Sequence, residues 1–178
     1  MPETKNDACR PNQESSWIQL SISKKIIEWH REPITMKLTE AQNAEVEETL
    51  HSYSIAYQKK DIKALLALCS PEISGFGSGP DEVVLGRKDF TRQMKRDLSQ
   101  ATSVSVEFPC PKIFGEGRVA WVTSGCNFIF RVEGKKKQTM NGRMTMVLRN
   151  TGNRWVIEQI HFSIPYIEQS PGQSFPGA

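Results

Sequence analysis

An α+β fold, with a curved antiparallel sheet closing as a cone over N-terminal helices, is predicted by three observations. Two amphipathic segments precede any strand, a third follows a short hairpin, and four long strands with tight turns fill most of the remainder. At 178 residues the chain holds one ordinary domain and an appendage. Hydrophobic residues at 38% and charged residues at 24% exclude collagenous, wholly disordered and polytopic membrane classes.

Thr39 and Gln42 form a capping-box pattern, in which each side chain satisfies a backbone N–H that a new helix leaves unpaired. The helix runs to about Lys60 and turns Val46, Leu50, Tyr53 and Tyr57 to one face. Asp61 caps a shorter helix carrying Ile62, Leu65, Leu66 and Leu68, and Pro71 lies beyond its end. Residues 72–76 and 82–85 are β-prone and flank the turn formers Gly77-Ser78-Gly79-Pro80. From Arg87 a third helix carries Phe90, Met94 and Leu98 inward and Arg92, Lys95 and Arg96 outward. Strands are then expected over 104–108, 119–132, 138–149 and 154–164, with turns at Gly115-Glu116-Gly117, Gly134-Lys135 and Thr151-Gly152-Asn153.

The leading residues differ from this pattern. Residues 1–16 are polar, and Trp17 to Trp29 is apolar without a clean period and could dock on a partner or on the cone. The expected organisation is a partly disordered N-terminal extension over 1–37, one domain over 38–165 and a C-terminal tail over 166–178. With no secretory pattern at the N-terminus, a cytoplasmic location with free thiols is expected for Cys9, Cys69, Cys110 and Cys126. Their wide spacing implies no metal site, and no apolar run approaches the ~20 residues of a membrane span. A net charge of +3, from 23 basic and 20 acidic side chains, without aromatics interleaved among the basic residues, argues against nucleic acid. The segment Gly75-Phe76-Gly77-Ser78-Gly79 lacks the spacing and the following helix of a dinucleotide fingerprint, so no cofactor is implied.

The order of elements resembles a known family, as do the segments Phe76 to Glu82, Val119-Ala120-Trp121-Val122, Gly142 to Leu148 and the closing run Trp155 to Pro165. Together they look like a SnoaL-like domain of the nuclear transport factor 2-like (ketosteroid isomerase-like) superfamily, whose fold is also described as cystatin-like. The closing run also resembles the association domain of calcium/calmodulin-dependent protein kinase II. The resemblance implies a conical α+β barrel with a pocket between concave sheet and helices, and a homodimer through the convex face. It implies no single reaction, since isomerases, cyclases, dehydratases and oligomerisation modules share the fold.

If Phe162 faces the pocket, as the resemblance implies, strand alternation places Val156, Glu158 and Ile160 beside it. The preceding strand adds Met140, Met144, Met146 and Leu148. Such side chains either line a pocket for an apolar small-molecule ligand or simply fill the cone. A carboxylate among them would have a raised pKa, which makes Glu158 a candidate base; the bland reading is a rim residue or an ion pair. Asp81 and Glu82, at the expected pocket mouth beside Phe76, are further candidate bases or members of a solvated turn. Tyr53 and Tyr57 either offer phenol hydroxyls to a ligand or pack the core. Asn141, Arg143, Gln159, His161 and Ser163 lie on the opposite face, as a polar network or dimer interface. A register slip of one residue would exchange the two sets. Cofactor-free proton transfer, of isomerase, dehydratase or cyclase type, is the expected chemistry if the protein is an enzyme, and a non-catalytic dimerisation or interaction module is the alternative.

Overall fold

The computed structural model of the chain describes residues 37–176. Helix α1 (Glu40–Gln58) starts where the capping box places it, with Thr39 Oγ1 accepting from Gln42 N at 3.2 Å and Gln42 Oε1 accepting from Thr39 N at 2.9 Å. Val46, Leu50, Tyr53 and Tyr57 are all buried along its inner face. Asp61 caps α2 (Ile62–Ala67) by accepting from Ala64 N. Strands β1 (Cys69–Phe76) and β2 (Val83–Leu85) form the short hairpin. Helix α3 (Arg87–Gln100) buries Phe90, Met94 and Leu98.

The remaining strands are β3 (Ser103–Glu107), β4 (Lys112–Glu116), β5 (Val119–Arg131), β6 (Gln138–Asn150) and β7 (Trp155–Ser163). They join the hairpin in one seven-stranded, curved and unclosed sheet of order β2-β1-β7-β6-β5-β3, with β4 also paired to β5. Two features were not anticipated by the residues. The sequence reading places no strand between 108 and 119, only a turn at 115–117. Instead Gly117, at φ 57°, turns the chain and β4 pairs with the first half of β5, while β3 pairs with its second half. The sheet is also not wholly antiparallel, since β1 runs parallel to β7.

The inner face of the sheet packs on the helices through one apolar cluster that includes Val46, Leu65, Ile73, Phe90, Met146, Leu148 and Ile157. Burying each such large side chain contributes about 1.5–3 kcal/mol. Trp155 crosses from β7 to α1, its Nε1 donating to Glu45 Oε2 at 2.9 Å, so the end of the sheet is tied to the first helix. No helix among the described residues is long and apolar enough to cross a membrane. The Trp17 to Trp29 stretch and its suggested docking lie outside the described residues.

Candidate functional site

Between α1, α3 and the concave sheet lies a cavity of about 260 Å³. Tyr53 and Tyr57 reach it from α1, Phe128 and Phe130 from β5, Met140 and Met144 from β6, and Ile160 and Phe162 from β7. Aromatic rings dominate: Phe128 meets Phe162 edge-on at 4.8 Å and Tyr57 at 5.5 Å, and Tyr53 stacks on Tyr57 at 6.0 Å. The Gly77 to Glu82 turn stands at the mouth.

The polar part of the wall comes from α3. Gln93, Asp97 and Gln100 follow Phe90 at spacings of three, four and three, forming a row beside the apolar one. Burial pushes the Asp97 carboxyl above its ordinary value, and the nearby Glu82 carboxylate adds to the rise; Arg96 and Gln93 oppose it by hydrogen bonding. Arg96 lies at the back of this wall and holds three carboxylates. Its Nη1 donates to Asp81 at 2.6 Å, its Nη2 to Glu82 at 2.9 Å and its Nε to Asp97 at 3.2 Å. Glu82 also accepts from Gly79 N at 2.9 Å, which binds the mouth turn to α3.

Tyr53 and Tyr57 are both more than nine-tenths buried, yet among the described residues neither hydroxyl has a hydrogen-bond partner. Among the described residues no fully enclosed side-chain oxygen lacks a partner, so neither phenol oxygen is fully enclosed, and both tyrosines line the cavity. Burial raises both phenols, with Asp97 among the charges that add to the effect, so both are protonated donors near neutral pH. A protonated phenol and a carboxylate on one apolar cavity wall can together donate a hydrogen bond and accept a proton.

The residues singled out from the sequence divide by position. Tyr53, Tyr57, Glu82, Met144, Ile160 and Phe162 line the cavity. Phe76 stands at its mouth, half exposed, with its ring edge-on to His161 at 5.9 Å. Met146 is fully buried in the core and does not line the cavity, and Asp81 is an exposed partner of Arg96.

Glu158 is a correction: it does not sit among Met and Phe. Strand β7 carries an extra residue, since Val147 pairs with Gln159 but Leu148 with Ile157, and this bulge breaks the simple alternation. Ile157 takes the inward place expected of Val156, and Glu158 accepts from Arg149 Nε at 2.7 Å outside the cavity. Replacing Glu158 by Gln is therefore expected to change stability by less than about 1 kcal/mol, as for other solvent-facing pairs; urea denaturation checks this. Asn141, Arg143, Gln159, His161 and Ser163 belong to the outward-facing register of β6 and β7. Asp97, the carboxylate that does face the cavity, was not singled out, although its place in the row from Phe90 to Gln100 was the available signal.

Cys126 is buried on β5 and burial pushes its thiol up to about 12, so it is a protonated small hydrophobe and not a nucleophile.

A curved, unclosed sheet packed on the three helices of the described residues, with a cavity between them, defines the class. Residues 46–167 match the SnoaL-like domain family, and the chain belongs to it. No curated protein matches the sequence. Solved structures with the same fold include a candidate scytalone dehydratase from Novosphingobium aromaticivorans, at TM-score 0.65 and 14% identity over 71% of this chain and 85% of that one. A nuclear transport factor 2-like superfamily protein from Salmonella enterica aligns at TM-score 0.67 and 20% identity, over 78% and 100% of the two chains. A cystatin-like protein of unknown function from Nostoc punctiforme aligns at 0.63 and 15%, over 78% and 98%. At these identities the likeness is one of fold.

Proposed function

We propose that the protein binds a small, largely apolar organic ligand in the cone and catalyses cofactor-free proton transfer, of isomerase, dehydratase or cyclase type. The observation that carries this reading is Asp97, a carboxyl of raised pKa facing an aromatic cavity beside two buried phenols without partners. A base poised nearer neutrality can take a proton from carbon next to a carbonyl, and a phenol donor steadies the oxygen that gains charge. Glu82 stands as a second wall carboxylate, while Asp81 holds Arg96 in place. Phe76, Met144, Ile160 and Phe162 contact the ligand's apolar body. The resemblance to a candidate dehydratase fits this class of chemistry. The free Cys69, Cys110 and Cys126 fit a reducing compartment such as the cytoplasm.

The test is hydrogen–deuterium exchange next to the carbonyl of one- and two-ring aryl ketones in D2O, followed by proton NMR. Exchange above the buffer rate in the presence of the protein supports the reading; a panel with no accelerated member counts against it.

A second reading concerns assembly. On the convex face, Phe114 and Trp121 stack at 6.4 Å and remain exposed with Val119. This apolar surface, continuous through the sheet with Arg143, Gln159, His161 and Ser163, supports a homodimer formed through that face, whether or not the cavity is catalytic. Light scattering is expected to show a dimer for the unmodified chain and a monomer for Trp121→Glu, because a carboxylate there would be buried without a partner. A monomer in both cases would remove the interface.

A further inference from the structure

The charge on the cavity wall narrows the ligand class. Among the described residues that line it there is no lysine, arginine or histidine, whereas Glu82 and Asp97 contribute two carboxyl groups. The guanidinium of Arg96, behind the wall, is divided among Asp81, Glu82 and Asp97, so this cluster carries three carboxyl groups against one cation. An anionic head group entering here would meet like charge and find no cationic partner in the wall.

The apolar part of the wall points the same way. Tyr53, Tyr57, Phe128 and Phe162 make one connected set of rings, with successive centroids 4.8 to 6.0 Å apart. Ring faces attract a cation through their quadrupole, most strongly where water is excluded. The two phenol oxygens without partners add acceptor lone pairs as well as donors, so each can accept from an N–H. At about 260 Å³ the space lies just below the common range of ligand pockets, roughly 300–1,000 Å³, which suits a body of one or two rings.

We propose that the cavity selects aromatic amines in their ammonium form, the cationic head lying between Asp97 and the phenol oxygens of Tyr53 and Tyr57, and the ring body against Phe128, Met144 and Phe162. This rests on the reading that the cone takes a small apolar ligand and goes beyond it by fixing the charge of that ligand. Carboxylates and phosphate esters of the same shape are excluded.

Isothermal titration of the full chain at neutral pH with three matched probes tests it: 2-naphthylmethylamine, 2-naphthylmethanol and 2-naphthoate. The amine is expected to bind at least about tenfold more tightly than the alcohol, the size of one desolvated cation–π or charge-assisted contact, and the naphthoate to give no binding heat. Asp97→Asn is expected to reduce the amine's advantage over the alcohol to less than about threefold, and Glu82→Gln to narrow the same ratio, so the proposal stays open to refutation if one variant does not fold. Naphthoate binding as tightly as the amine, an alcohol equal to or tighter than the amine, or an advantage unchanged in both variants would overturn it. Binding of the alcohol without preference for the amine leaves the apolar-ligand reading standing, whereas binding of none of the three overturns both.

Discussion

Replacing Asp97 by asparagine will lower protein-catalysed exchange of the ketone α-proton by about 10²- to 10⁴-fold, the usual contribution of a positioned general base. In the unmodified chain the exchange rate will rise with pH through the raised pKa of Asp97, because only the deprotonated carboxylate accepts the proton. The groups around that carboxyl are Arg96 and Gln93 on its own helix, Glu82 from the mouth turn and Tyr53 and Tyr57 from α1.

The same substitution carries a stability signature of opposite sign. A carboxyl whose pKa is higher in the folded than in the unfolded chain binds more protons when folded, so stability falls as pH rises from the ordinary carboxyl range through the folded value. Asparagine has no such loss. Urea denaturation will therefore show Asp97→Asn gaining on the unmodified protein as pH rises through that window, and keeping its margin above it. Loss of exchange together with a stability that no longer declines through that pH window is the pattern of a group retained for function at the expense of the fold. Exchange unchanged in the variant would remove Asp97 from the chemistry.

Gly75→Ala will cost about 3 kcal/mol or more, placing it among the larger single-residue effects. A Cβ built on Gly75 lies 1.7 Å from the carbonyl oxygen of Ile160, and backbone cannot move aside as a side-chain tip can. The residue also has φ 153°, which L side chains rarely adopt. Gly75 pairs with Val84 on β2 and with Ile160 on β7, so the displaced strand is the one connecting the hairpin to the sheet. Gly117→Ala offers a comparison: its φ is also positive, but nothing lies within 4 Å of the added carbon, and only the conformational cost of about 1 kcal/mol applies. Denaturation midpoints of the two variants, measured side by side, separate steric exclusion from backbone preference.

Much of the architecture was legible because it is written in local patterns. The capping box at Thr39 and Gln42, the cap at Asp61 and the inward rows of α1 and α3 depend on neighbours within one or two helical turns. The alternation of Met140, Met144, Met146 and Leu148 also survives intact, because β6 pairs with β5 without interruption. What escaped depends on contacts distant in sequence. The bulge beside Glu158 is a property of the pairing between β6 and β7, and the extra residue that turns this carboxylate toward Arg149 leaves no trace in the alternation of β7 alone. Asp97 was obscured by its own surroundings, since an acid beside Arg96 on a helix rich in charge has the appearance of a solvated face. Only the arrival of the mouth turn, Phe128 and Phe162 from elsewhere in the chain makes its environment partly dry.

The place of β7 in the sheet bears on how the protein is made. It is the last strand in the chain, yet it lies between β1 and β6, so the hairpin and the long strands meet only through it. Residues 69–76 must wait for residues 155–163 before their edge is covered. During synthesis α1 can already pack on the meander through Tyr53 against Phe108 and Tyr57 against Phe128, but the β1–β2 hairpin and β6 each keep an open strand edge until β7 arrives. Loop closure over that separation makes this joining slow compared with helix formation. Chaperone dependence and aggregation in the nascent chain should accordingly concentrate in the interval before β7 emerges.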